Sequence, residues 1–156
     1  MSQFKVLKQQ VAASLILSTG AIRHGCFFVV TSMTHGGSER VGDLLNSASG
    51  FFPFQHDDGT TGQYNRNHLV MVMLPEGIAE EEFEPGFAVS LRRAVSVTLS
   101  TGTSIDGTVL VSDAAGHERL SDFARASKRF WYILTSRGTV VVNSEHIVEL
   151  IEKGIE

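Results

Sequence analysis

Four blocks of this chain occur twice, in the same order and at nearly one spacing. Leu17-Ser18-Thr19-Gly20 followed by Gly25 returns 82 residues later as Leu99-Ser100-Thr101-Gly102 followed by Gly107. Glu39-Arg40-Val41-Gly42-Asp43-Leu44 is answered by Glu118-Arg119-Leu120-Ser121-Asp122-Phe123, and Phe51-Phe52 by Phe130-Trp131, both at a spacing of 79. Asn65, His68, Leu69 and Val70 return as Asn143, His146, Ile147 and Val148, 78 residues on. Such a duplication requires one fold to satisfy both halves. The 156 residues leave each half the size of a small all-β unit, for which about sixty to eighty residues suffice.

Local patterning gives each block a structure. Phe87, Val89, Leu91, Val95, Val97 and Leu99 are apolar at odd positions, as are Leu7, Val11, Ala13, Leu15 and Leu17, and this period of two predicts half-buried strands. Phe4, Leu7 and Val11 fit a helical spacing as well, so the first ten residues are open to either reading. Gly20 and Gly102 read as turn residues that reverse one strand into the next. Strands are expected over Cys26–Thr31 and Thr108–Ser112, followed by a short helix in each half. Gly42 and Ser121 serve as N-cap residues, with Asp43 and Asp122 in the first turn. Further strands start at Phe51 and Phe130, and each half closes on a strand through Leu69–Val72 or Ile147–Leu150. A small, strongly bent antiparallel sheet accommodates this order.

Charge marks the boundary. Acidic and basic residues balance in 1–78 and again in 89–156, so the whole net charge of −4 lies in Glu80, Glu81, Glu82 and Glu84. The chain therefore divides into 1–75, an exposed acidic linker at 76–86, and 87–156. Hydrophobic content of 42% with 19% charged residues is that of a folded globular chain. The lone Cys26 reads as a small buried apolar residue suited to a reducing cytoplasm, and the apolar run Val11–Leu17 is too short to span a bilayer.

The opening apolar-x-Leu-x-x-Gly-x-x-x-x-Gly, present at Leu17, Gly20, Gly25 and at Leu99, Gly102, Gly107, resembles the Sm-like small β-barrel. Arg119-Leu120-Ser121-Asp122-Phe123, with Asn143 and His146-Ile147 downstream, is similar to an uncharacterised bacterial variant of that fold with a helical insertion. The resemblance implies a mainly β chain of two tandem Sm-like, SH3-like antiparallel barrels, each with a short inserted helix. It also implies homo-oligomers, including rings, formed by pairing edge strands. The family's RNA-binding loops are replaced here by the helical segment and by Asn65-Arg66 and Asn143-Ser144.

No histidine pair, cysteine pair, phosphate loop or nucleophile elbow points to a metal, a cofactor or catalysis. Asp57-Asp58-Gly59 reads as a turn. Arg40 with Asp43, and Arg119 with Asp122, are spaced to form local ion pairs, and His68 and His146 to cap the closing strands. The ligand-binding set is Arg125, Lys128, Arg129 and Arg137 with Trp131, which suits phosphates and a stacked base. The expected function is a non-catalytic oligomerising scaffold or interaction module. An RNA- or nucleotide-binding module is the alternative.

Overall fold

The computed structural model describes residues 7–31, 39–80, 91–111, 120, 124 and 128–155. Alternating apolar residues form β1 (Leu7–Leu17), which reverses at Gly20 into β2 (Ile22–Thr31). Helix α1 (Val41–Asn46) leads to β3 (Phe51–His56), β4 (Thr61–Asn65), a 3-10 turn at Arg66–His68 and β5 (Leu69–Met73). In the second half, β6 (Leu91–Leu99), β7 (Ser104–Val111), β8 (Phe130–Thr135) and β9 (Gly138–Asn143) precede a 3-10 turn at Ser144–His146 and β10 (Ile147–Ile155).

The strands form one antiparallel sheet that is not closed, in the order β10-β6-β7-β8-β9-β5-β1-β2-β3-β4. Two separate barrels were the expectation. Instead one sheet runs through both halves, because β5 pairs with β9: Met71 with Val142, Val72 with Val141 and Met73 with Val140. The strand order within the first half, β5-β1-β2-β3-β4, is repeated in the second as β10-β6-β7-β8-β9. Even the irregularities recur. Val70 is passed over where Leu17 pairs with Leu69 and Ile16 with Met71, and Val148 is passed over where Leu99 pairs with Ile147 and Thr98 with Glu149. A bulge at the start of each closing strand bends it sharply.

Two apolar cores result, and each borrows from the other half. Leu15, Phe27, Val29, Phe52 and Phe54 centre the first, which also takes Phe130 and Val141. Val95, Val97, Leu99, Val109 and Ile133 centre the second, which also takes Val70 and Met71. Four residues running from Leu69 to Val72, and the run from Thr139 to Asn143, are buried on both faces. Unbroken apolar runs are the sequence signature of strands covered on both sides.

α1 lies between β2 and β3, where a short helix of the first half was expected. Its N-cap is Arg40, two residues before the glycine to which that role was given, and Asp43 reaches back to accept from the Arg40 backbone N–H at 3.0 Å. Gly42 instead makes room for β8, since a Cβ there would collide with the Tyr132 ring. In the second half, Arg119, Asp122 and Arg125 lie outside the described residues, as do most of the acidic linker and residues 87–90.

Gly20 and Gly102 turn at φ of +88° and +90°, with nothing against the missing side chain. Gly25 and Gly107 are held for space: a Cβ at Gly25 would overlap the Gln55 carbonyl, and one at Gly107 would sit 2.6 Å from the Leu134 carbonyl. Gly20→Ala is expected to cost about 1 kcal/mol through its backbone conformation, and Gly25→Ala about 3 kcal/mol through forced separation of β2 from β3. Urea unfolding of both variants checks the ranking, and equal losses would contradict it.

Candidate functional site

The residues singled out by the repeat converge at the junction of the halves, where two 3-10 turns meet. Asn143 closes β9 and is fully buried. Its Nδ2 donates to the carbonyls of Arg66 at 3.1 Å and Leu69 at 2.8 Å, while its Oδ1 accepts from the Glu145 N–H at 3.0 Å. One side chain thus fixes its own turn and the turn of the other half. Asn67 is gripped from the second half as well: Arg129 Nη2 donates to its Oδ1 at 2.7 Å, and His146 Nε2 donates to its carbonyl at 2.6 Å. Because Nε2 carries that proton, Nδ1 of neutral His146 accepts from the Ser100 hydroxyl, 2.7 Å away. His68 makes the matching bond with Ser18 at 2.9 Å. Both histidines therefore tie a closing strand to the glycine turn of its own half.

Further along, Asn46 of α1 imitates a strand. Its Nδ2 donates to the Phe130 carbonyl at 3.1 Å and its Oδ1 accepts from the Phe130 N–H at 2.9 Å. Arg66 is buried and donates to the carbonyls of Leu44, Leu45, Ser49 and Phe51, meeting the acceptors left open at the helix C-terminus.

The linker supplies a third contact. Glu80, expected to be exposed, is only 8% exposed. Its carboxylate accepts from the Val41 N–H at 3.1 and 3.2 Å and from the Tyr132 hydroxyl at 2.9 Å, and the same hydroxyl accepts from the Gly42 N–H at 3.0 Å. The open N–H groups of α1 draw the carboxylate in. Burial nevertheless raises the Glu80 pKa, with the Tyr132 and Val41 hydrogen bonds and Arg40 opposing the rise. Burial likewise raises the Tyr132 phenol, with Glu80 adding to the rise. Arg40 and Asp43 form a 2.7 Å ion pair, as their spacing predicted, and Asp43 is lowered by its bonds to Arg40 against the opposing effect of burial.

Among the described members of the cationic set, Lys128, Arg129 and Trp131 are neighbours and Arg137 stands apart. Arg129 is engaged by Asn67 and, at 3.1 Å, by Glu145. The Trp131 ring is buried, and its N–H donates to the Lys128 carbonyl at 2.6 Å. Arg137 lies in the turn after β8, about 20 Å along the strand from Arg129 at some 3.3 Å per residue. Lys128 is exposed, and Arg125 lies outside the described residues.

Two shallow concavities flank the glycine pinches. One of about 270 Å³ is lined by Ser14, His24, Gly25 and Asp57, with Ser14 Oγ 2.7 Å from His24 Nδ1. Its counterpart of about 440 Å³ is lined by Asp106, Gly107, Ser136 and Lys153, with Lys153 3.1 Å from Asp106. The two halves thus keep the shape and change the chemistry. Burial and then Asp57 push the half-buried Cys26 thiol up. Among the described residues no cluster of three or more His, Cys, Asp or Glu side chains is arranged to hold a metal, and no helix is long and apolar enough to cross a membrane.

Sequence reasoning missed Asn46, Asn67 and Glu80. Asn46 and Asn67 answer to Arg125 and Glu145 in the other half, so repetition gave no signal for them. Comparison with family models, curated proteins and solved structures gives no match.

Since the folded Glu80 pKa is raised, its contribution to stability is fully present below the unfolded value, about 4.3 for glutamate, and is lost as pH rises through the folded value. The unfolding free energy of Glu80→Gln relative to the wild type is therefore expected to shift in favour of Gln between pH 4 and 8. Denaturant titrations across that range check it, and a constant difference would contradict the burial cost.

Proposed function

We propose that this protein is a non-catalytic oligomerising scaffold, two tandem Sm-like barrel units per chain, whose copies join end to end by the same contact that joins its halves. The observation that carries this reading is a set of matched exposures. Phe130 and Val70, buried at 3% and 0% across the β5–β9 junction, have repeat counterparts Phe51 and Val148 that are 63% and 71% exposed. These two belong to β3 and β10, next to β4 and on the other outermost strand.

β4 and β10 are the two ends of the sheet, and among the described residues no strand pairs with their outer edges. β4 corresponds to β9 and β10 to β5. Carrying the internal register over by 78 residues sets Glu149 against Tyr64, Leu150 against Gln63 and Ile151 against Gly62 of the next copy. Phe51 then enters the second core of the neighbour, as Phe130 enters the first core within the chain. Val148 covers the first core of the neighbour, as Val70 covers the second. Unpaired strand edges and exposed apolar side chains are both removed by one contact. It is heterologous, so copies close into a ring when their rotations sum to a full turn.

Sedimentation velocity at micromolar concentration is expected to give a mass several times that of the 17.0 kDa chain. Phe51→Asp and Val148→Asp are each expected to yield folded monomers, since both side chains are exposed within one copy. A monomeric wild type would overturn the reading.

A further inference from the structure

Each half carries an amide side chain and a pair of turn carbonyls at the same register, and one of each is engaged inside the chain. Asn143 of the second half donates through Nδ2 to the Arg66 and Leu69 carbonyls of the first, at 3.1 and 2.8 Å. Its repeat counterpart is Asn65, and the counterparts of the two acceptors are the carbonyls of Ser144 and Ile147. Among the described residues nothing bonds to Asn65 Nδ2, and no side chain reaches those two carbonyls.

The unused amide is held in the shape of the used one. Asn65 lies opposite Phe51 as Asn143 lies opposite Phe130. Its backbone stands at φ −80° and ψ 122°, against −77° and 112° at Asn143. Its Oδ1 accepts from the Asn67 N–H at 2.9 Å, as Asn143 Oδ1 accepts from the Glu145 N–H at 3.0 Å. With the oxygen fixed to its own turn, Nδ2 is directed to the outer edge of β4, the edge that in β9 faces β5. The receiving turn matches too. The Ile147 N–H bonds to the Ser144 carbonyl as the Leu69 N–H bonds to that of Arg66, and His146 fastens its turn to Ser100 as His68 fastens its own to Ser18. Groups ordered in advance lose little freedom when they meet.

We infer that Asn65 of one copy is the residue that recognises the next copy, donating through Nδ2 to its Ser144 and Ile147 carbonyls. This deepens the end-to-end reading above and rests on it. Edge pairing and apolar cover do not by themselves fix which ends meet, because an open strand edge is a template for any other. The amide does fix it. Since Asn143 engages the carbonyls of Arg66 and Leu69, the chain keeps one open amide, at its β4 end, and one open carbonyl pair, at its β10 end. A β4 end on a β4 end supplies no carbonyl pair, and a β10 end on a β10 end supplies no amide. Either arrangement closes polar groups away from water without partners, which selects against it. The amide also carries more of the recognition between copies than within the chain, because the Arg129 bond to Asn67 has no counterpart where Gly50 replaces the arginine.

The test isolates a single contact. Phe51→Asp blocks the β4 end of one chain and Val148→Asp the β10 end of another, so a mixture of the two is left with one productive contact and forms a one-to-one pair. The dissociation constant of that pair is measured by sedimentation equilibrium, and again with Asn65→Asp or Asn65→Ser added to the Val148→Asp chain. Aspartate and serine both cap a turn through oxygen, but aspartate has no donor and serine is too short to reach the next copy. The constant is expected to rise roughly hundredfold with Asn65→Asp and about tenfold with Asn65→Ser, while the urea midpoint of the Val148→Asp chain stays where it was. An unchanged constant in either variant would overturn the inference and leave end-to-end assembly standing. So would a loss of affinity that in both variants follows a lowered urea midpoint, which would make Asn65 a residue of its own turn alone. Failure of the two parent chains to pair at all would overturn both.

Discussion

Three register pairs between β5 and β9 carry the first half of the chain into the second. Everything else at the centre of the molecule follows from them. Pairing these strands brings the turns at Arg66–His68 and Ser144–His146 side by side, so that Asn143 can satisfy two carbonyls of the other half. It also pushes Phe130 into one core and Val70 and Met71 into the other. A fully buried medium-sized apolar side chain contributes roughly 1.5–3 kcal/mol, and the buried run of β5 alone holds four. Separating the halves would expose these residues and strip Asn143 Nδ2 of its two carbonyl partners at once.

The linker belongs to the same structure. Glu80 was expected among solvated acidic residues, but the open Val41 N–H of α1, shared between both oxygens, and the Tyr132 hydroxyl give its carboxylate two donors. Tyr132 comes from β8 and α1 from the first half, so this carboxylate ties the two halves together away from the sheet. Burial works against its charge, and the hydrogen bonds work for it. Stability at this point is a balance of the two.

Repetition alone made much of this legible. The glycine turns and the bonds of His68 to Ser18 and of His146 to Ser100 recur because each is made inside one half, and the Arg40–Asp43 pair forms at the spacing read from the sequence. The described residues of each half run in the order that the four blocks predicted. What the sequence hid were contacts between halves, which cannot be periodic: Asn46 grips Phe130, but its counterpart is Arg125. The single open sheet was hidden for a related reason. An unbroken run such as Leu69-Val70-Met71-Val72 says that a strand is covered on both faces, without saying by what. The contrasting run Ile147-Val148-Glu149-Leu150 keeps a charge at the same register. β5 lies inside the sheet and β10 at its end.

One contact geometry, on this account, serves twice, within the chain and between copies. Paired cysteines read that geometry directly. In the double variant Gln63→Cys with Leu150→Cys, the two positions face each other only across a β4–β10 contact in the register of β5 and β9, where Cα atoms opposite one another lie about 4.5–5.5 Å apart. Mild oxidation followed by non-reducing electrophoresis and mass spectrometry is predicted to give covalent multimers joined by bonds between positions 63 and 150. Multimers joined only through like positions, or no cross-linking at concentrations where the wild type is multimeric, would contradict the account.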